Sequence, residues 1–203
     1  AKKRYILNVW DSEGVRYKEP KLKIMGIEAV KSSTPAPCRE KIKEALKIIM
    51  DGDEKMLNTF IQEFRKEFMK LSPEDIAFPR SCNGVKKFTG KSSLFASGAP
   101  MHVKGAILYN HLVKKKKLSG KYPYIAEGDK VRFVNMKQPN IYQSSAFSFI
   151  TSFPKELDIR DRIDYDVQFT KSFVEPLKFI TEKMSWLIDN SYGTQGSLED
   201  FFG

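Results

Sequence analysis

Four aspartates form the densest carboxylate cluster in the sequence: Asp158, Asp161, Asp164 and Asp166. Closely spaced carboxylates can bind divalent metal ions of the kind that assist phosphoryl transfer. Arg160 and Arg162 alternate with these acids, however, and an apolar helical pattern follows, so the acids suit the positive end of a helix dipole. We therefore interpret the cluster as the start of a helix rather than as a metal site.

No motif of an established catalytic centre occurs elsewhere in the chain. The patterns GxxxxGK[ST], GxSxG, HExxH and CxxC are absent. His102 and His111 are nine residues apart and would not share a helix face. Cys38 and Cys82 are too few for a disulfide scaffold, which favours a reducing cytoplasm. We predict no catalytic residue, no metal ligand and no cofactor bound by these 203 residues.

Basic charge is concentrated in one part of the sequence. The net charge is +10, and the stretch from Arg80 to Lys137 alone has 13 basic and 2 acidic residues. No run approaches 18 apolar residues, and the charged start Ala1–Tyr5 does not resemble a signal peptide. The charge favours a polyanionic partner such as DNA, although basic proteins without that role have similar compositions.

The sequence begins with a basic and aromatic string, Lys2-Lys3-Arg4-Tyr5. In a strand, Lys3 and Tyr5 would share one face because side chains alternate. Donors on such a face can contact minor-groove acceptors, which occupy similar places in every Watson–Crick pair. A solvated basic terminus is the alternative for the string taken alone.

The sequence ends with the pattern QxxLxxFF, formed by Gln195, Leu198, Phe201 and Phe202. Leu198 and Phe201 would lie together on one helical turn, with Phe202 as a second aromatic anchor and Gln195 available to a pocket rim. We interpret these residues as a docking peptide on a flexible tether. The alternative is a tail that folds back on its own domain.

Between these two terminal motifs, the sequence predicts both β-strands and α-helices. Strand-forming residues from Tyr5 to Trp10 and from Val15 to Tyr17 flank Asp11-Ser12-Glu13-Gly14, which predicts a β-hairpin. Thr34 and Pro35 predict a helix start, and Asp51-Gly52-Asp53 its end. A second helix has an apolar stripe that we interpret as a core face rather than a partner groove: Leu57, Phe60, Ile61, Phe64, Phe68 and Leu71.

The second half of the sequence is less regular. Residues 72–99 predict irregular structure, Pro100 precedes a helix to about Val113, and Lys130–Met136 alternates as a strand. The tract Lys114 to Lys117 either complements a helix dipole or contacts phosphates. Asp158 to about Asn190 predicts a long helix kinked at Pro176 with a buried apolar face: Phe169, Phe173, Leu177, Ile180, Met184 and Leu187. The fold class is therefore α+β and mainly helical.

Several of these segments together resemble the C-terminal part of a family B replicative DNA polymerase of the T-even bacteriophage type. They are the two terminal motifs, Glu19–Glu28, Lys31–Pro35, Met101–Asn110 and Glu127–Val131. Residues 78–99 and 138–157 contribute no segment to this resemblance. The family's catalytic motifs DxxSLYP and YxDTDS do not occur here, so we expect a piece of a polymerase: one half of a split enzyme, a processed product or an excised part.

The resemblance implies a domain plan and a set of contacts. Residues 1–22 would end the palm, 23–189 would form the thumb, and 190–203 would be a flexible tail that binds the sliding clamp. The implied DNA-binding residues are Lys2, Lys3, Arg4, Tyr5, Lys21, Lys23, Lys31, Lys104, Lys114, Lys115, Lys116 and Lys117. The implied clamp-binding residues are Gln195, Leu198, Phe201 and Phe202.

The expected partners are primer-template DNA, the sliding clamp and an upstream polymerase portion that supplies exonuclease, fingers, catalytic aspartates and Mg²⁺. This chain alone should be inactive as a nucleotidyltransferase. The alternative is a non-catalytic DNA-binding accessory protein that the sliding clamp recruits.

Overall fold

The structure is a computed structural model that describes residues 5–90 and 93–189. The described residues form two compact units. The first contains those before Phe68 and those from Thr170 onwards, and the second is Phe68–Phe169. Elements of both classes are present, which confirms the α+β prediction. The predicted palm–thumb boundary after residue 22 stays a prediction.

The first unit begins with an antiparallel hairpin of β1 (Tyr5–Ser12) and β2 (Val15–Met25). Glu13 and Gly14, between the strands, both have positive φ angles, 54° and 79°. This is the two-residue turn whose twist matches that of the flanking strands. The predicted hairpin is confirmed, although β2 continues well beyond the predicted end at Tyr17.

Two consecutive helices follow, α1 (Ala36–Asp51) and α2 (Glu54–Phe68). Thr34 does not cap α1, because the helix begins at Ala36 and Pro35 occupies the N-cap. Lys41 of α1 lies 3.4 Å from the Glu67 carboxylate of α2, so the helices run side by side. The stripe of α2 is a core face at four positions, since Leu57, Ile61, Phe64 and Phe68 are buried. Phe60 is half-buried, and Leu71 lies beyond the end of α2.

The predicted long helix from Asp158 to Asn190 is wrong in its bounds. One 3₁₀ turn, Arg160–Arg162, occupies its first part, and another, Lys155–Leu157, lies just before it. Helix then forms as α6 (Tyr165–Phe169), a π-helical segment (Thr170–Val174) and α7 (Glu175–Thr181), followed by a 3₁₀ turn at Glu182–Met184. Pro176 lies in the first turn of α7, where its missing N–H is tolerated.

The apolar pattern of that segment was only partly a core pattern. Phe169, Phe173 and Leu177 are fully buried. Met184 and Leu187, predicted to face inward, are 41% and 78% exposed. The helical spacing of apolar residues in the sequence continues beyond the end of the helix, but Met184 and Leu187 do not pack into the core.

The second unit contains a three-stranded antiparallel sheet in the order β3 (Phe78–Cys82), β4 (Asp129–Asn135), β5 (Ala146–Phe149). The helix α5 (Met101–Lys115) starts after Pro100 as predicted and packs on the sheet. The unit also contains the short helices α3 (Pro73–Ile76) and α4 (Val85–Phe88) and the helix α6. The prediction of irregular structure over 72–99 missed β3, whose pairing partner β4 is distant in the sequence.

Helix α5 approaches β5 closely at one position. A Cβ atom on Gly105 would lie 2.6 Å from the backbone nitrogen of Ser148. The Ser148 hydroxyl donates to the carbonyl of His102, 2.7 Å away, on the same helix. Glycine is therefore required by space at this crossing, and the crossing fixes the position of the helix whose C-terminus holds the lysine tract.

Candidate nucleic-acid interface

The hairpin register places three of the predicted DNA-binding residues on one face. Tyr5 pairs with Met25, Leu7 with Lys23, and Val9 with Lys21. Directly opposed residues in an antiparallel pair point to the same side of the sheet. Tyr5, Lys21 and Lys23 therefore share a face, which we call the hairpin basic face. The Lys21 ammonium also lies 4.0 Å from the centroid of the Tyr17 ring, which holds it on that side.

A groove of about 600 Å³ continues from this face to α1. Lys23 lines it from β2, and Lys43 and Lys47 line it from α1. Two carboxylates also line it, but each has a cation partner: Glu40 is 3.1 Å from Lys43, and Glu44 is 3.6 Å from Lys41. Lys47 makes no ion pair with any described residue.

Sequence reasoning missed Lys43 and Lys47. Their i, i+4 spacing puts them on one side of a helix, and this signal was available. What it could not show is that this side of α1 faces β2.

Lys31, a predicted DNA contact, is held by a local ion pair. Its ammonium donates to the Glu28 carboxylate across a single 3₁₀ turn, Glu28–Val30. A local ion pair that is partly open to solvent is weak, so Lys31 could exchange Glu28 for a phosphate at little cost.

The lysine tract at the end of α5 divides into two kinds of residue. Lys116 donates to the Glu156 carbonyl at 2.7 Å and pairs with the Asp158 carboxylate. Lys114, Lys115 and Lys117 are exposed and pair with no acid among the described residues. Three of the four lysines thus remain available to phosphates. Lys104, in the first turn of the same helix, is partly exposed.

The charge belongs mainly to the second unit. Phe68–Phe169 contains 17 basic and 9 acidic residues, a net of +8. The remaining residues contain 18 basic and 16 acidic, a net of +2. Lys130 and Arg132 add two exposed cations on β4. A polyanion would therefore be attracted mainly to the second unit, whereas the first offers the aromatic and basic hairpin face.

Near the lysine tract, a cluster of charged and polar side chains connects two loops through hydrogen bonds. Lys121 and the Tyr122 hydroxyl both donate to the Glu156 carboxylate. These two hydrogen bonds lower the pKa of Glu156 to about 2, and the same bond to the carboxylate raises the pKa of Tyr122. The cluster borders an open cleft of about 630 Å³. These hydrogen bonds hold Glu156 in place, and the backbone carbonyl of the same residue accepts the hydrogen bond from Lys116.

The acidic cluster serves local structure. Asp164 accepts a hydrogen bond from the Val167 amide at 2.9 Å, as a cap does at a helix start. Asp158 pairs with Lys116. Among the described residues, no group of three acids, histidines or cysteines is placed to hold a metal ion.

Both cysteines are buried free thiols, and burial raises their pKa to about 11. In residues 5–90 and 93–189, no helix has the length and apolar character needed to cross a bilayer. Lys2, Lys3 and Arg4 lie outside the described residues, as do Gln195, Leu198, Phe201 and Phe202.

Comparison with known proteins relates the whole chain to two phage enzymes. It is 33% identical over 207 aligned residues to the DNA-directed DNA polymerase of Enterobacteria phage T4, and 34% identical over the same length to that of Escherichia phage RB69. Each alignment covers 100% of this chain and 22% of the phage polymerase, so the chain spans about a fifth of its relatives' length. No family model matches the chain. The homology confirms the resemblance that the sequence motifs indicated.

Proposed function

We propose that this chain, a homologue of part of the T4 and RB69 DNA polymerases, is the palm-end and thumb portion of a replicative DNA-directed DNA polymerase. In this role it grips the primer-template duplex and attaches the enzyme to a sliding clamp. The nucleotidyl transfer itself is performed by catalytic aspartates outside these 203 residues.

One observation carries the proposal of DNA contact: Tyr5, Lys21 and Lys23 share the hairpin basic face. Their donors reach from one side of a narrow ribbon, a shape that fits a groove of the duplex. Minor-groove acceptors are nearly equivalent in all correct pairs, so this contact is independent of sequence and sensitive to mispairing. Three further proposed DNA contacts immediately precede Tyr5 in the sequence: Lys2, Lys3 and Arg4.

Thumb lysines hold the product duplex through its backbone. The groove residues Lys43 and Lys47 continue the path from Lys23. Lys31, Lys104 and the exposed tract residues Lys114, Lys115 and Lys117 supply further phosphate contacts, while Lys116 mainly anchors the tract. Such contacts position the duplex and supply affinity without reading its sequence.

The chemistry comes from the other polymerase portion. Two aspartates there would hold Mg²⁺ ions, which activate the primer hydroxyl and stabilise the leaving diphosphate. This chain contributes orientation of the primer end, so it raises the rate without a catalytic residue of its own. Gln195, Leu198, Phe201 and Phe202 form the clamp-binding peptide, which keeps the enzyme on its template.

Reconstitution tests the proposal directly. The 203-residue chain is mixed with the portion of the polymerase from the same source that carries the YxDTDS motif, and primer extension is measured. We expect each component alone to be inactive and the mixture to extend primers. Absence of both binding and extension would refute the proposal.

The alternative accessory protein predicts a different outcome. Such a protein would bind duplex DNA and the clamp at full affinity but would never restore synthesis. Its hairpin would also show full amide protection over β1 and β2 without a partner, because no other chain would be needed to stabilise it.

A further inference from the structure

The β1–β2 hairpin exposes more apolar surface than its own packing explains. Trp10 is 55% exposed, Val15 57% and Leu7 50%. Among the described residues, β1 and β2 pair only with each other, so the outer edge of each strand lacks a strand partner. An isolated two-stranded hairpin is marginal in water, and unpaired edges attract other chains. The hairpin therefore has the properties of an uncovered interface element.

A second apolar feature lies at the root of the same hairpin. It is a cleft of about 350 Å³ lined mainly by Tyr5, Ile6, Ile27, Ile49, Phe179 and Met184. Phe179 and Met184 are 40% and 41% exposed. The lining contains a single charged residue, Lys183, among the residues that the structure describes. A largely apolar cleft of this size can receive a large side chain of a partner as an anchor.

The exposed residues of the hairpin divide between two surfaces. Leu7 lies opposite Lys23 on the hairpin basic face, where the proposed function places DNA. Trp10 lies where the register shifts between Val9 and Asp11, and Val15 begins β2 next to the turn. Trp10 and Val15 are thus separate from Lys21 and Lys23, and a protein could cover them while DNA contacts these lysines. Tyr5 also lines the cleft, so it lies where the two surfaces meet.

We propose that the Trp10–Val15 end of the hairpin and the apolar cleft at its root dock onto the part of the polymerase that these 203 residues do not represent. This inference rests on the proposed function. The chain spans 22% of its relatives' length, so most of a polymerase is available to cover this surface. Trp10 is the central anchor, since a large aromatic group desolvated at an interface contributes the most binding energy.

Trp10 fluorescence provides the test. The chain has two tryptophans, so a Trp186→Phe variant makes Trp10 its single tryptophan, and the emission of the added portion alone is subtracted from that of the mixture. On addition of the catalytic polymerase portion, we expect a blue shift of the emission and protection from iodide quenching. Trp10→Asp and Phe179→Asp should each weaken binding of that portion by about tenfold or more, as loss of an interface anchor does. Met56→Asp is the matched control, because Met56 is 54% exposed on α2 of the same unit.

The possible outcomes distinguish a failure of this docking surface from a failure of the proposed function. If the portions bind and restore extension but Trp10 remains quenchable and Trp10→Asp binds normally, the docking surface is wrong and the function stands. If the two portions neither bind each other nor extend primers, both the proposed function and the docking surface are refuted. If Trp10 becomes shielded in the chain alone as its concentration rises, a second copy covers the surface and the inference is overturned.

Discussion

Gln168 and Asn135 are joined by two hydrogen bonds inside the second unit. The Gln168 side-chain oxygen accepts from the Asn135 backbone amide at 2.9 Å and from its side-chain amide at 2.6 Å. The Gln168 amide nitrogen in turn donates to the carbonyl of Ile76 at 2.6 Å. Both side chains are almost fully buried. One amide therefore links α6 to the end of β4 and to α3.

Replacing Gln168 with leucine should destabilise the protein strongly. The change leaves the Asn135 amides and the Ile76 carbonyl buried without this partner, at about 1–3 kcal/mol for each unsatisfied group. Urea unfolding measures the free energy of unfolding. Gln62→Leu, at an exposed position of α2, is the control and should change it little. A Gln168→Leu variant as stable as the wild type would show that water or rearrangement satisfies these groups.

Gly105→Ala tests the crossing of α5 and β5. The new Cβ would lie 2.6 Å from the Ser148 nitrogen and 2.8 Å from the Phe147 carbonyl carbon, which are backbone atoms that cannot rotate away. We expect a loss of about 1–3 kcal/mol in thermal or urea unfolding, as overpacking usually costs. Gly120→Ala is the matched control, because its Cβ would meet no atom within 4 Å. Equal stability of the two variants would contradict the tight crossing.

Glu156 should make stability depend on acid pH. Its pKa is about 2 in the folded protein against an ordinary value of 4.5, because Lys121 and Tyr122 donate to the charged form. A depressed carboxyl pKa stabilises the fold above the ordinary value, and this contribution is lost as pH falls from about 4.5 towards 2. Glu156→Gln should therefore lower the melting temperature at pH 7 but make little difference near pH 2. A constant difference across this range, absent in an exposed Glu63→Gln control, would point to lost packing instead.

The hairpin basic face should supply salt-dependent DNA affinity. Lys21→Gln combined with Lys23→Gln should weaken duplex binding and reduce the slope of log K against log salt by about 0.9 for each phosphate contact removed. Lys55→Gln with Lys66→Gln removes the same charge from exposed positions on α2 and serves as the control. Binding is measured by fluorescence anisotropy at several salt concentrations. An identical loss in both double variants would mean that only net charge matters.

The C-terminal peptide should act only when the clamp is present. Deleting residues 195–203 from the reconstituted enzyme should abolish clamp-stimulated processivity and spare distributive synthesis, because the role proposed for the peptide is anchoring and not contact with the primer end. Product lengths with and without clamp provide the measurement. Phe201→Ala with Phe202→Ala should have the same effect, whereas a parallel loss of distributive synthesis would assign the tail a structural role.

Local signals in the sequence determined much of the first unit and parts of the second. The turn chemistry at Glu13-Gly14 produced the hairpin, the stripe from Leu57 to Phe68 produced a buried helix face, and Pro100 preceded α5. These signals depend on residues a few positions apart, whose conformations and spacing decide the element directly. Other local segments, Glu19–Glu28, Lys31–Pro35, Met101–Asn110 and Glu127–Val131, together with the two terminal motifs, carried the resemblance to phage DNA polymerases that homology confirms.

Only tertiary structure decided the pairings between distant segments. Strands β3 and β5 are short and weak in sequence, and they exist because β4, remote from β3 along the chain, offers hydrogen-bond partners to both. The predicted helix also extended beyond the real one at both ends. Before Tyr165 the chain forms a 3₁₀ turn, and after Thr181 it forms another, beyond which Leu187 is exposed. The candidate site depends on the same kind of pairing. Tyr5 and Lys21 belong to different strands, and the register of β1 on β2, set by backbone hydrogen bonds, brings them to one face.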